Sequence, residues 1–178
     1  HSTSPGPSLV DAEMQAKRIF VLDDNQFNRQ QYGDLLRAWS LQVETASDAS
    51  DALCKLQESQ QNGIEFDVLL LDAGLGHKDG FAVLEELQHL NLCRSSKIIM
   101  LANSAVAEDR QRSIKLGISS VLRKPVTPDE LRCAIYSACK GVAAPANLSA
   151  NNLAMSRDGG LAALHILVAE DNPINQKL

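Results

Sequence analysis

The sequence contains few aromatic residues, few cysteines and no long apolar stretch. Only 4% of its 178 residues are aromatic, and its four cysteines form no Cys-x-x-Cys pair and have no histidine at metal-ligand spacing. We therefore expect free thiols in a reducing compartment, with Cys54 and Cys133 partly buried because they fall in helical patterns. No apolar run approaches the ~20 residues that cross a bilayer, which favours a soluble protein.

Positive charge is also scarce. The 17 lysines and arginines stand against 22 aspartates and glutamates, and the formal net charge is −5. A chain without a lysine- and arginine-rich face is not expected to bind the phosphate backbone of nucleic acids. The 44% of apolar residues suffice for a buried core. Residues 1–16 carry no secretory apolar segment, and we interpret them as a tag or linker.

From Lys17 onward, short apolar runs alternate five times with segments of helical periodicity. The predicted strands cover residues 18–22, 41–45, 66–72, 97–101 and 119–123, and an amphipathic segment follows each of them. This alternation predicts an α/β fold, a doubly wound (βα)5 domain whose parallel five-stranded sheet carries helices on both faces.

Local signals set several helix ends. Ser47 and Asp48 are candidate N-caps of the second helix, and Gly117 is a candidate C′ residue of the fourth, which is predicted over 105–116. The run from Thr127 to Glu130 is typical of a capping box with proline at N1. These signals support the helical assignments independently of the apolar pattern.

After residue 140 the composition changes. Residues 141–163 are rich in Ala, Asn, Ser and Gly without apolar periodicity, which predicts a flexible linker. Residues 164–178 repeat the start of the domain, since His-Ile-Leu-Val-Ala-Glu-Asp-Asn there matches Arg-Ile-Phe-Val-Leu-Asp-Asp-Asn from Arg18. We therefore expect a first domain over 17–140 and the first strand and helix start of a truncated second copy, within a longer parent protein.

Three carboxylates follow predicted strands. Asp23 and Asp24 come after the first strand and Asp72 after the third, so they converge if these strands are neighbours at the switch point of the sheet. Close carboxylates raise one another's pKa unless a cation neutralises them, and hard oxygen ligands suit Mg²⁺. Lys124, after the fifth strand, adds a positive charge at the same edge.

Together these motifs resemble the response regulator receiver domain. The resemblance covers about residues 17–139 and depends on five features: Asp23-Asp24, Asp72, Asp79-Gly80, Lys124-Pro125 and the Asp-Asp-Asn-x-x-Asn-Arg form of the first motif. That form is similar to the receivers of hybrid sensor histidine kinases. The resemblance implies a flavodoxin-like strand order, 2-1-3-4-5.

The resemblance also implies chemistry. Asp72 would be the phosphoacceptor that attacks a phosphohistidine and forms an acyl phosphate. Asp23, Asp24, Asp72 and the backbone carbonyl of Gly74 would hold Mg²⁺. Lys124, whose bond to Pro125 is cis in the family, would pair with the phosphoryl charge.

The implied partners are a histidine kinase dimerisation domain or a histidine phosphotransfer domain, together with a second receiver in the same chain. No nucleic acid and no membrane are expected for this fragment. We expect a cytoplasmic location, with a parent protein that can be membrane-anchored. The receiver itself would not be a free-standing enzyme, whereas the parent is expected to be a histidine kinase.

Two positions depart from the family. Ala102 stands where the family carries Thr or Ser at the end of strand four, and Val121 stands where it carries an aromatic residue three positions before the lysine. Without a hydroxyl or a ring, the relay from phosphate to surface lacks both parts. Asn103, beside Ala102, could crowd the phosphate or partly replace the lost donor. Both positions are therefore interpreted as a degenerate switch.

Three interpretations remain open. The chain is an impaired receiver that binds Mg²⁺ but acts mainly as a regulatory or docking domain, or a competent phosphoacceptor that passes phosphate between histidines. The third is an unrelated metal-dependent, phosphatase-like α/β enzyme, which needs an aspartate where Gly74 stands. His77 could act as a general base, but a solvated loop residue is the expected assignment.

Overall fold

The structure, a computed structural model, describes residues 16–76, 78–103 and 110–140. The predicted linker, the predicted second copy, His77 and nearly all of the predicted tag lie outside these residues. So does the start of the helix predicted over 105–116. No helix among the described residues is long and apolar enough to cross a membrane.

Five long strands alternate with helices along the described chain as predicted, and two short strands lie between the third long strand and its helix. The strands are β1 (Arg18–Leu22), β2 (Gln42–Ala46), β3 (Val68–Asp72), β4 (Gly74–Leu75), β5 (Lys78–Asp79), β6 (Lys97–Ala102) and β7 (Ile118–Arg123). The helices are α1 (Gln26–Ala38), α2 (Ala49–Gln61), α3 (Gly80–His89), α4 (Arg110–Lys115) and α5 (Pro128–Lys140).

Five strands form one parallel sheet in the order β2-β1-β3-β6-β7. Counted over the five long strands, this is the predicted order 2-1-3-4-5, and the α/β fold class is confirmed. Leu22 at the end of β1 pairs with Leu71 of β3. The residues that follow these two strands therefore leave the sheet side by side, at the point where the strand order reverses.

The central strands are buried on both faces, because helices cover each side of the sheet. Val68 to Leu71 are all 0% exposed. Successive side chains point to opposite faces. One face packs residues such as Leu69 with Phe81 and Leu84 of α3, and the other packs residues such as Leu70 with the side chains of α1 and α5. Each such leucine contributes about 1.5–3 kcal/mol by leaving water.

The predicted helix ends are confirmed where the structure describes them. The Asp48 carboxylate accepts the Asp51 N–H at 2.9 Å as N-cap of α2, and Gly117 has a φ of +64°. The capping box is complete. Thr127 Oγ1 accepts the Glu130 N–H at 3.3 Å, and Glu130 Oε2 accepts the Thr127 N–H at 2.9 Å.

Two local predictions are wrong. The third strand begins at Val68 rather than at residue 66, where the Phe66 carbonyl accepts the Ser96 hydroxyl at 2.7 Å and so pairs with a side chain. Cys54 and Cys133 are exposed, since they lie on the faces of α2 and α5 opposite the buried stripes. All four cysteines are free thiols, and Cys93 is the buried one.

One hairpin was not predicted from the sequence. β4 and β5 form a two-stranded antiparallel ladder in which Gly74 pairs with Asp79 and Leu75 with Lys78. Gly76 lies between the two strands with a φ of +57°, a conformation that suits glycine. This hairpin occupies the loop directly after Asp72 and so determines the surroundings of that carboxylate.

Candidate functional site

Three carboxylates converge where β1 and β3 end. Asp23 is 0% exposed and Asp72 is 7% exposed, whereas Asp24 is open to solvent. One oxygen from each of the three lies within 4.8 Å of the other two. The structure thus brings together three of the residues that the sequence assigned to one site.

Asp23 is the most deeply held of the three. Its Oδ1 accepts the Asn25 N–H at 2.9 Å, and Asn28 Nδ2 donates to both of its oxygens at 3.2–3.3 Å. Burial raises the pKa of Asp23 above its usual value, and the charge of Asp72 adds to this, while Lys124 and the hydrogen bonds oppose it. Burial, rather than the repulsion expected from the sequence, is therefore the main cause.

Lys124 joins the two buried carboxylates. Its Nζ lies 2.7 Å from Asp72 Oδ2 and 3.3 Å from Asp23 Oδ2. Burial disfavours its charge, but the hydrogen bond to Asp72 and both carboxylate charges outweigh this, so its pKa is raised. The Lys124 N–H donates to the Ala102 carbonyl at 2.9 Å, which fixes the lysine backbone at the end of β6. The Lys124–Pro125 bond is cis.

Polar residues at the start of α1 hold the backbone of Asp23 and Asp24 in place. Asn25 caps the helix by accepting the N–H groups of Phe27 and Asn28. Arg29 Nη1 donates to the backbone carbonyls of Asp23 and Asp24, each at 2.9 Å. No structural role was predicted for these three polar residues, although the spacing of the first motif contained the signal.

Two glycines, Gly74 and Gly80, contact Asp72 from the loop and helix that follow it. The Gly74 N–H donates to Asp72 Oδ1 at 3.1 Å, and Gly74 itself is exposed at the start of β4. A Cβ on Gly80 would lie 2.1 Å from the Asp72 carbonyl oxygen, so only glycine fits there. The sequence singled out Gly80 as part of the Asp79-Gly80 motif but did not reveal this close approach.

Ala102 and Val121, interpreted above as degenerate switch positions, lie on the neighbouring strands β6 and β7. Ala102 is 0% exposed and ends β6, and Val121 is partly buried against the α3 side of the core. Asn103 is exposed and lines an open cleft of about 380 Å³ together with Tyr32 and Lys124. Burial raises the pKa of the Tyr32 hydroxyl, Asp23 and Asp72 add to this, and Lys124 opposes it. Tyr32 was not predicted from the sequence as part of this region.

The donor set fits a hard divalent cation. Asp23, Asp24 and Asp72 present carboxylate oxygens within 4.8 Å of one another, and oxygen ligands of this kind are those that Mg²⁺ and Ca²⁺ prefer. One of the three faces solvent, which leaves room for the waters that Mg²⁺ retains. The residues present are therefore compatible with the metal that the sequence suggested.

The fold and this site define an α/β protein with an acidic pocket at the switch point of a doubly wound sheet. The family model described as "Response regulator receiver domain" matches residues 19–136. The chain belongs to the response regulator receiver family.

Known relatives include sensor and hybrid histidine kinases. The chain is 32% identical over 121 residues to "Sensor histidine kinase RcsC" of Salmonella typhi, which covers 67% of this chain and 12% of that protein. It is 27% identical over 119 residues to "Hybrid signal transduction histidine kinase L" of Dictyostelium discoideum, covering 65% of this chain and 7% of that protein. The chain thus spans only a small part of these curated relatives.

Solved structures show the same fold. A response regulator receiver domain protein (CheY-like) from Methanospirillum hungatei is 26% identical with a TM-score of 0.62, covering 71% of this chain and 96% of that one. The chemotaxis response regulator CheY4 of Vibrio cholerae is 25% identical with a TM-score of 0.61, covering 70% of this chain and 99% of that one. The matches therefore extend over nearly the whole length of both proteins.

Proposed function

We propose that this domain is the receiver module of a two-component phosphorelay and that Asp72 is its phosphoacceptor. The observation that carries the proposal is the environment of the Asp72 carboxylate. It lies at a strand end beside two further carboxylates, with Oδ2 2.7 Å from the ammonium group of Lys124. A nucleophilic carboxylate beside a fixed cation is suited to phosphoryl transfer.

The chain's own residues support each part of this step. An oxygen of Asp72 attacks phosphorus, the bond from phosphorus to the donor's imidazole nitrogen breaks, and the imidazole leaves with the electron pair. Lys124 balances the negative charge of the incoming phosphoryl oxygens. Asp23, Asp24, Asp72 and the Gly74 carbonyl would hold Mg²⁺, which would neutralise phosphoryl charge when bound.

We further propose that the output switch is muted. Ala102 cannot donate a hydrogen bond to a phosphoryl group, and Val121 has no ring to reorient. The domain would then act largely as a regulatory or docking module of a hybrid histidine kinase on the cytoplasmic side. Its partners would be a kinase dimerisation domain or a histidine phosphotransfer domain, with the second receiver in the same chain, whose start was predicted from residues 164–178.

A second function is favoured by the same acidic pocket. A competent phosphoacceptor that passes phosphate between histidines needs Asp72, Lys124 and the metal ligands but no output switch. The phosphatase-like alternative lacks support, because Gly74 rather than a carboxylate stands two residues after Asp72.

The experiment is incubation with Mg²⁺ and acetyl phosphate, followed by intact mass measurement. We expect one base-labile phosphate in the wild-type chain and none in Asp72→Asn. The matched control is Asp34→Asn, because Asp34 is an exposed carboxylate on α1 whose loss should change nothing. Unmodified wild-type protein, or phosphate retained by Asp72→Asn, would contradict the proposal. Onward transfer to a phosphotransfer domain would favour the relay function over the docking function.

A further inference from the structure

The loop after Asp72 is closed by its own backbone. The Gly80 N–H donates to the Ala73 carbonyl at 2.9 Å, and Gly74 pairs with Asp79 across the β4–β5 hairpin. The Gly74 N–H in turn donates to Asp72 Oδ1. Asp79 is therefore the direct cross-strand neighbour of Gly74, whose carbonyl is proposed to bind Mg²⁺. A displacement of Asp79 would therefore also displace the backbone of Gly74.

Arg112 of α4 holds Asp79 from outside this loop. Its Nη1 donates to Asp79 Oδ2, its Nη2 lies 3.7 Å from Glu85 Oε1, and its guanidinium carbon lies 4.8 Å from the centroid of the Phe81 ring. Asp79 Oδ1 accepts the Phe81 N–H at 3.0 Å, so each oxygen of Asp79 has a partner. The Arg112 side chain is 32% exposed, and its several contacts fix it better than an isolated surface ion pair.

We propose that Arg112 is a positioning residue of the acceptor loop: by fixing Asp79 from α4, it keeps Gly74 in place beside Asp72. Its effect on metal binding depends on the function proposed above. This link does not pass through Ala102 or Val121, so it operates although both switch positions are degenerate. The site thus depends on a residue 40 positions further along the chain (112 − 72).

The test compares four variants. Arg112→Gln removes the positive charge, and Arg112→Lys keeps it without the guanidinium group. Asp79→Asn keeps the oxygen that accepts the Phe81 N–H but loses the ion pair with Arg112. Arg132→Gln is the matched control, because Arg132 forms a surface pair with Asp129 on α5. The measurements are the Kd for Mg²⁺ alone by calorimetry, and amide hydrogen exchange at Gly74 and Leu75 in metal-free protein.

We expect Arg112→Gln and Asp79→Asn to weaken Mg²⁺ binding by about tenfold, the lower end of the range for outer-shell partners of metal sites. Exchange at Gly74 and Leu75 should accelerate in both variants. Arg112→Lys should lose less, and Arg132→Gln should match the wild type.

Wild-type Mg²⁺ affinity together with wild-type exchange in Arg112→Gln would overturn the inference. A lower Tm with both of these readouts unchanged would overturn it too, because a purely structural ion pair gives that result. If the wild type binds no Mg²⁺ or takes no phosphate while exchange at Gly74 still accelerates in Arg112→Gln, the proposed function fails and the positioning role stands.

Discussion

At the scale of single residues, glycine controls how closely α3 approaches the acceptor strand. Gly80 lies directly against the Asp72 carbonyl, with no room for a Cβ, while Gly74 has nothing within 4 Å of the position its Cβ would take. The two glycines lie only six residues apart (80 − 74), yet a Cβ is excluded at Gly80 and has free space at Gly74. This contrast leads to a matched pair of substitutions.

We predict that Gly80→Ala destabilises the fold by about 2 kcal/mol or more, because backbone atoms rather than a flexible side chain would have to move. Gly74→Ala should cost much less. Urea unfolding monitored by circular dichroism measures both free energies of unfolding. Equal stabilities for the two variants would show that α3 can shift away from Asp72 at little cost.

The cysteines allow a prediction about pH. Burial raises the pKa of Cys93 to about 11, from an ordinary value of 9.0. The folded state therefore favours the neutral thiol, so the contribution of Cys93 to stability is complete below about pH 9 and is lost as pH rises through about 11.

We expect Cys93→Ala to make the free energy of unfolding fall less steeply between about pH 9 and 11, as measured by urea unfolding at a series of pH values. In native protein, the exposed Cys54 and Cys133 should react with a thiol reagent and Cys93 should not. Rapid labelling of Cys93 without unfolding would disprove its burial.

At the scale of secondary-structure elements, helix caps connect the sequence to the site. The capping box that opens α5 begins two residues after Pro125 and three after Lys124, and α5 buries Leu131 and Ile135 against the sheet. A secure start of α5 therefore also helps to fix the backbone that carries Lys124.

We predict that Thr127→Ala lowers the free energy of unfolding by about 1 kcal/mol, because the Glu130 N–H loses its acceptor. Thr127→Ser keeps the hydroxyl and should lose only a small part of this. Chemical denaturation of the two variants gives the comparison. If serine and alanine cost the same, the hydroxyl is not what stabilises this helix start.

At the scale of the whole molecule, the question is whether occupancy of Asp72 reaches the surface formed by β6, α4 and β7. The family's usual route needs a hydroxyl at position 102 and a ring at position 121, and this chain has neither. The two positions lie on neighbouring strands, since β6 pairs with β7. Restoring one without the other should achieve little, because they act as one coupled element.

We therefore predict that beryllofluoride, a phosphoryl mimic, shifts few backbone NMR signals of residues 110–123 in the original chain. The double variant Ala102→Thr with Val121→Tyr should show a larger, ligand-dependent change, and each single variant should resemble the original. Large shifts near Asn103 in the original chain would indicate that another donor already works there, and the muted-switch hypothesis would lose its support.

Apart from the β4–β5 hairpin, the order of elements was predictable from the sequence alone, and so was the position of the three aspartates directly after or at the end of strands. Apolar periodicity distinguishes strand from helix, and caps such as Thr127 act on residues three positions away. A strand that ends on Asp72 places that carboxylate at the carboxyl ends of the strands in any parallel sheet. These are local regularities, so neighbouring residues contain the information.

Other features were decided only by the tertiary structure. The contact of Arg112 with Asp79, the close approach of Gly80 to Asp72 and the position of Tyr32 beside Lys124 each join residues from different elements. The same holds for the pKa of Asp23, which burial by the assembled sheet and helices raises more than the neighbouring charge does. Distances and burial across the fold arise only when the elements pack together, and no periodicity within one element contains them.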